Sequence, residues 1–89
     1  PKTKRIVANK INLFVNPDYF EANKFYKCKI RYQSKEADAK VNYIRAGNHN
    51  KLLVEFNELQ EASSKGQSLV IYEDDFLLAG GIIDEIEII

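Results

Sequence analysis

Lys27, Lys29 and Arg31 alternate with Tyr26, Cys28, Ile30 and Tyr32. In an extended strand that spacing sends three cations to one side and apolar or aromatic side chains to the other. Such a row can engage the phosphates of a polyanion, the guanidinium bidentately and each ammonium as a point charge. The competing reading makes Tyr32 a core aromatic and the cations a solvated outer face. Other chemistry-bearing residues offer less. Cys28, the only cysteine, falls on the apolar side, where a thiol behaves as a small hydrophobe. A reactive thiolate would need exposure and a pKa lowered by Lys27 and Lys29, which alternation directs to the opposite side. His49, the only histidine, sits in the turn-like Gly47-Asn48-His49-Asn50 with no second histidine or paired cysteine to complete a zinc set. Glu73-Asp74-Asp75 could attract a hard cation, but the spacing fits a hairpin corner facing water. Gly80-Gly81 lacks the strand-then-helix setting of a phosphate loop and reads as a bulge or a close backbone approach. With no paired nucleophile and base, a standalone enzyme is disfavoured.

Strands must position these residues, because period-two alternation runs through most of the chain. Besides residues 24–33, it recurs over 39–45 with Ala39, Val41 and Tyr43, and over 51–57 with Leu52, Val54 and Phe56; Gly47-Asn48 between them predicts a hairpin. Residues 67–72 and 76–83 form a second pair around Asp74-Asp75, with Gly66 allowing a tight turn before it. Residues 84–89 continue with Ile86 and Ile88 alternating with Glu85 and Glu87. Arg5-Ile6-Val7-Ala8 adds an early strand, so that residues 1–16 are either a linker or the first strand. Pro17 opens one helical turn with Asn16 as its cap. The stretch from Glu55 to Lys65 is expected to be a loop between strands rather than a helix, since Ser63-Ser64-Lys65-Gly66 ends it quickly. The expected fold is all-β, a small six- or seven-stranded antiparallel barrel.

An 89-residue chain makes one domain, residues 1–89, and no apolar run approaches the roughly 18 residues of a membrane helix. A lone cysteine cannot form an internal disulfide, and there is no basic-then-apolar leader; cytoplasm is the default. The chain begins at Pro1 and has no methionine, which reads as a domain excised from something longer. Net charge is zero, yet residues 1–33 hold eight basic against two acidic side chains, and residues 34–89 five against eleven. A polyanion would be drawn to the first part only, unless interleaved strands mix the charges in the fold.

Taken in order, the motifs resemble a known family. Lys29-Ile30-Arg31-Tyr32 is similar to the Lys-x-Arg-Tyr strand of the tRNA-specific 2-thiouridylase C-terminal domain, and Val54-Glu55-Phe56-Asn57-Glu58-Leu59-Gln60 to its Val-x-Phe-x-Glu-x-Gln stretch. Gly66-Gln67-Ser68 falls where that family usually reads Pro-Gly-Gln-Ser, with Lys65 in place of the proline. Ala79-Gly80-Gly81 stands where it reads a triple glycine. Ala8-Asn9-Lys10-Ile11-Asn12 resembles the segment leading into the barrel, with Leu13 where a tryptophan is common. The resemblance implies a barrel like the second domain of translation elongation factors, joined to catalytic and central domains that bind ATP with magnesium and receive sulfur from a relay protein. It implies tRNA as partner, no cofactor in this domain and no membrane. Arg31, Tyr32 and Gln67 are the implied tRNA contacts, with Lys29 and Lys27 beside them. The Ser-Gly-Gly-x-Asp-Ser loop and the two cysteines of the family's chemistry are absent here, so these residues alone cannot thiolate. The alternative is a barrel that packs its acidic stretch and Ile86, Ile88 and Ile89 against another domain or subunit.

Overall fold

A computed structural model describes residues 1–30 and 35–89. Its strands are β1 (Lys2–Leu13), β2 (Tyr26–Ile30), β3 (Ala37–Ala46), β4 (His49–Glu61), β5 (Ser68–Glu73) and β6 (Phe76–Ile88). They close into an antiparallel barrel in the order β1-β4-β3-β2-β5-β6, with β6 returning to β1. The expected all-β barrel is therefore found, with six strands among the described residues. Closure removes the free sheet edges that would otherwise invite pairing with other chains.

Alternation explains which faces point inward. Ile6 and Ala8 of β1, Cys28 and Ile30 of β2, Leu52, Val54 and Phe56 of β4, and Leu69 and Ile71 of β5 are all buried together. Tyr26 joins them because its hydroxyl is satisfied: it accepts from the Glu21 N–H at 2.9 Å and donates to the Tyr19 carbonyl at 3.1 Å. That anchors the connector before β2, whose 3₁₀ turn Pro17–Tyr19 is capped by the Asn16 side chain, as Asn-Pro spacing predicts.

Both hairpins form where turn chemistry places them. Ala46 pairs with His49 around Gly47-Asn48, and Glu73 with Phe76 around Asp74-Asp75. The first loop residue of each takes the left-handed region, Gly47 at φ 61° and Asp74 at φ 52°. Two spans differ from expectation. The stretch after Glu55 stays in β4 as far as Glu61, because β1 is long enough to pair Lys2 with Glu61 and Thr3 with Gln60. Residues 76–83 and 84–89 are one strand, β6, bent where extra residues interrupt its registers with β5 and β1.

The central irregularity of β1 faces Gly81. Asn9 pairs with Ile82 and Asn12 with Gly80, so β1 carries one residue more than β6 between those pairs. Lys10 absorbs it at φ 50°. Strict alternation would turn Lys10 inward after Ile6 and Ala8; the bulge instead leaves it exposed and packs Ile11 on the core. Ile11 Cδ1 occupies the space where a side chain at position 81 would begin.

Candidate nucleic-acid interface

Lys27 and Lys29 both point outward from β2, flanked by buried Tyr26, Cys28 and Ile30. Their surroundings separate them. Lys27 lies opposite Asp38 on β3 and forms an ion pair with it at 2.6 Å. The hydrogen bond to Asp38 raises the Lys27 pKa, and Glu36 adds to the effect. On its other side stands Tyr72, whose hydroxyl bonds the Glu36 carboxylate. Lys27 is thus a neutralised cation in an acidic setting. Lys29, facing Val70 on β5, has no carboxylate partner among the described residues. A strand pattern cannot show this distinction, since it depends on which residues of β3 meet β2.

Gln67 lies in the turn just before β5, whose Leu69 pairs with Ile30, the last residue of β2. Its carbonyl accepts from the Ile83 N–H at 2.8 Å, while the neighbouring Gly66 N–H donates to the Ile83 carbonyl at 2.8 Å. The Gln67 side-chain oxygen accepts from the Ser64 N–H at 3.2 Å and so ties the turn together. Its amide NH₂ has no partner among the described residues. Gly66 takes φ 89°, which makes this turn a glycine position. Arg31 and Tyr32 lie outside the described residues. The structure thus puts Lys27 and Lys29 on β2 and Gln67 in the turn that enters the adjoining β5, and separates Lys27 from Lys29 by its electrostatics.

The lopsided charge of the sequence is mixed by the fold. Arg5 pairs with Glu55 and Glu87 at 3.0 Å each, Lys24 with Glu73 at 2.7 Å, and Lys2 with Glu61. Each of these links a cation of the basic segment to a carboxylate of the acidic one, as interleaving strands require. These exposed pairs add little stability individually, but they remove the blanket positive surface that the first third of the sequence suggests.

Against this geometry the family model of the aminomethyltransferase beta-barrel domain matches residues 3–83. The chain belongs to that family. Its similarity extends to tRNA-specific 2-thiouridylase MnmA 2 of Clostridium botulinum, 41% identical over 81 residues, covering 91% of this chain and 22% of the relative. The corresponding enzymes of Caldicellulosiruptor saccharolyticus, 40% identical over 80 residues, and Acetivibrio thermocellus, 40% over 81, cover 90% and 91% of the chain and 21% of each relative. The resemblance drawn from the Lys-x-Arg-Tyr and Gly-Gln-Ser motifs is therefore borne out, and this beta-barrel domain spans about a fifth of the length of the curated relatives it matches.

Other reactive groups of the family barrel here have structural surroundings. Cys28 is 2% exposed, and burial pushes its thiol up to about 12. It should resist a thiol-specific disulfide reagent in native buffer at mildly alkaline pH and react fully once guanidinium unfolds the chain; prompt native reaction would contradict the burial. Glu73 is held below the usual carboxylate range by hydrogen bonds from Lys24 and Tyr19, while Asp74 and Asp75 form the exposed turn beside it. Among the described residues no three His, Cys, Asp or Glu side chains converge as metal ligands would. Among the described residues no helix is long and apolar enough to cross a membrane.

Proposed function

We propose that this barrel is the tRNA-docking accessory domain of an ATP-dependent, cytoplasmic tRNA 2-thiouridylase, seating the substrate while other domains of the parent protein bind ATP with magnesium and carry out sulfur transfer. The single observation that carries the proposal is that Lys29 of β2 has no carboxylate partner among the described residues and lies on the strand paired with β5, whose entry turn holds Gln67. The relatives' names supply the RNA class. Lys29 contributes a phosphate contact, and Gln67 donates its NH₂ to a phosphate, ribose or base-edge oxygen. Arg31 and Tyr32, carried over from the family motif, complete the set by bidentate phosphate binding and stacking. Lys27 contributes less than the sequence suggests, because binding RNA there would compete with Asp38.

Gln67→Glu tests the role of the amide. The variant keeps an acceptor for the Ser64 N–H, so the turn is retained, while the donor becomes a carboxylate. Binding of unmodified tRNA is expected to weaken about tenfold or more, the scale of losing a charge-assisted hydrogen bond and adding a repulsion. An Arg31→Ala/Gln67→Ala double variant should lose the salt-sensitive component. Unchanged affinity in both folded variants would reject the site.

A second reading has a specific observation in its favour. Phe76, Phe14 and Leu77 are 72%, 60% and 47% exposed, and the Phe14 N–H reaches the Leu78 carbonyl at 2.9 Å, which draws them together at one end of the barrel. Ile88 and Ile89 are exposed at the other end. Such surfaces suit packing against a neighbouring domain, a role compatible with RNA docking on the side of the barrel.

A further inference from the structure

Gly80 and Gly81 are adjacent in β6 and differ in what requires them. A side chain at Gly81 would begin 2.7 Å from Ile11 Cδ1 and 3.1 Å from the Asn9 carbonyl oxygen, so packing explains that glycine. At Gly80 the nearest neighbour of an added Cβ would be the Leu69 carbonyl oxygen at 3.7 Å, an ordinary contact, and its φ lies outside the left-handed region. Glycine within a strand costs roughly 0.5–1 kcal/mol relative to alanine. The fold has no use for that cost at Gly80, whereas a ligand lying close against the backbone would.

The registers show what surrounds it. Lys29 pairs with Val70, Val70 with Gly80, and Gly80 with Asn12, one row across β2, β5, β6 and β1. Each is flanked by buried or core-packed neighbours, so the row lies on the outside of the barrel. Three strand spacings make it about 14 Å wide. Lys10, turned outward by its bulge, stands beside Asn12 at the far end. Neither Lys10 nor Lys29 has a carboxylate partner among the described residues, whereas Arg5, Lys24 and Lys27 are all paired. Acidic groups border the row: Asp38 pairs with Lys27, Glu36 directly precedes Ala37, the partner of Cys28, and so stands level with Lys29, and Asp84 lies further along β6.

We propose that the tRNA footprint runs along this row, from Lys29 over the bare backbone at Gly80 to Asn12 and Lys10 of β1, with a ribose-phosphate strand as its occupant. The inference rests on the tRNA reading above and extends it to two strands that the motif residues do not reach. Positive charge at both ends suits phosphates, the Asn12 amide can bond phosphate or 2′-OH, and the low middle at Gly80 and Val70 admits the strand closely.

The test is a titration of an unmodified tRNA transcript with the full chain at several salt concentrations, using folded Lys10→Glu, Gly80→Glu and Lys29→Glu, and Lys4→Glu near the opposite end of β1 as control. Lys10→Glu and Gly80→Glu should each weaken binding about tenfold or more, Lys10→Glu should flatten the log–log salt slope by about one, and Lys4→Glu should stay within about twofold. If Gly80→Glu melts, Lys10→Glu decides, since its side chain is exposed. Binding retained by Lys10→Glu and Gly80→Glu but lost in Lys29→Glu would overturn the extended footprint and leave the β2–β5 site standing. Equal weakening by Lys4→Glu would also overturn it. Absence of binding by the unaltered chain would overturn both.

Discussion

Phe56→Ala is expected to cost the barrel about 3–5 kcal/mol, the usual range for deleting a fully buried phenyl group. Phe56 is 2% exposed and faces Ala39 across the β3–β4 pair. Ala39 carries only a methyl group, which cannot swing into the vacated space, and the barrel closes on itself, which limits relaxation and favours the upper part of that range. A domain of this size has a total stability near the low end of about 5–15 kcal/mol, so much of it would be removed. Urea unfolding followed by circular dichroism measures the loss directly; a change below about 1 kcal/mol would show that Phe56 is not packed in the core.

Gly81→Val is expected to destabilise the barrel by about 1–3 kcal/mol or more, whereas Gly80→Ala should leave its stability unchanged or slightly raised. A Cβ at position 81 begins 2.7 Å from Ile11 Cδ1, 3.1 Å from the Asn9 carbonyl oxygen and 3.2 Å from Ala8 Cβ. Ile11 can yield, but the Asn9 oxygen is backbone, and valine adds two methyl groups to the crowding. Overpacking of this kind typically costs about 1–3 kcal/mol and more where backbone must shift. At Gly80 the 3.7 Å contact leaves room, and an alanine in extended backbone can stabilise slightly by restricting the unfolded chain. Thermal unfolding of the pair resolves the difference. Equal melting temperatures would contradict the close approach of β1 to β6.

The barrel was legible because its local signals agree: alternation sets the inward faces of β2, β4 and β5, and Gly47-Asn48 and Asp74-Asp75 set the two hairpins. What was not legible depends on registers between distant strands. The end of β4 looks like a loop by composition and becomes strand because the start of β1 supplies its hydrogen-bond partners. The bulge at Lys10 carries no sequence signal of its own; only the room at Gly81 on the facing strand makes it intelligible. Among the candidate site residues, Lys29 and Lys27 look equivalent in sequence and differ because Asp38 forms an ion pair with Lys27, while Lys29 forms none with a carboxylate among the described residues. The tie from Gln67 to Ser64 was likewise hidden in a Gly-Gln turn, although a glutamine directly after such a glycine invites it.

The most direct measurement of the central claim is a two-dimensional NMR titration of the isotopically labelled chain with unmodified tRNA at low salt, following each backbone amide. RNA docking on the β2–β5 side predicts the largest perturbations at Lys29, Gln67 and Ser68, fading as salt is raised. Perturbations confined to the Phe14, Phe76 and Leu77 end, or none at any salt, would contradict it.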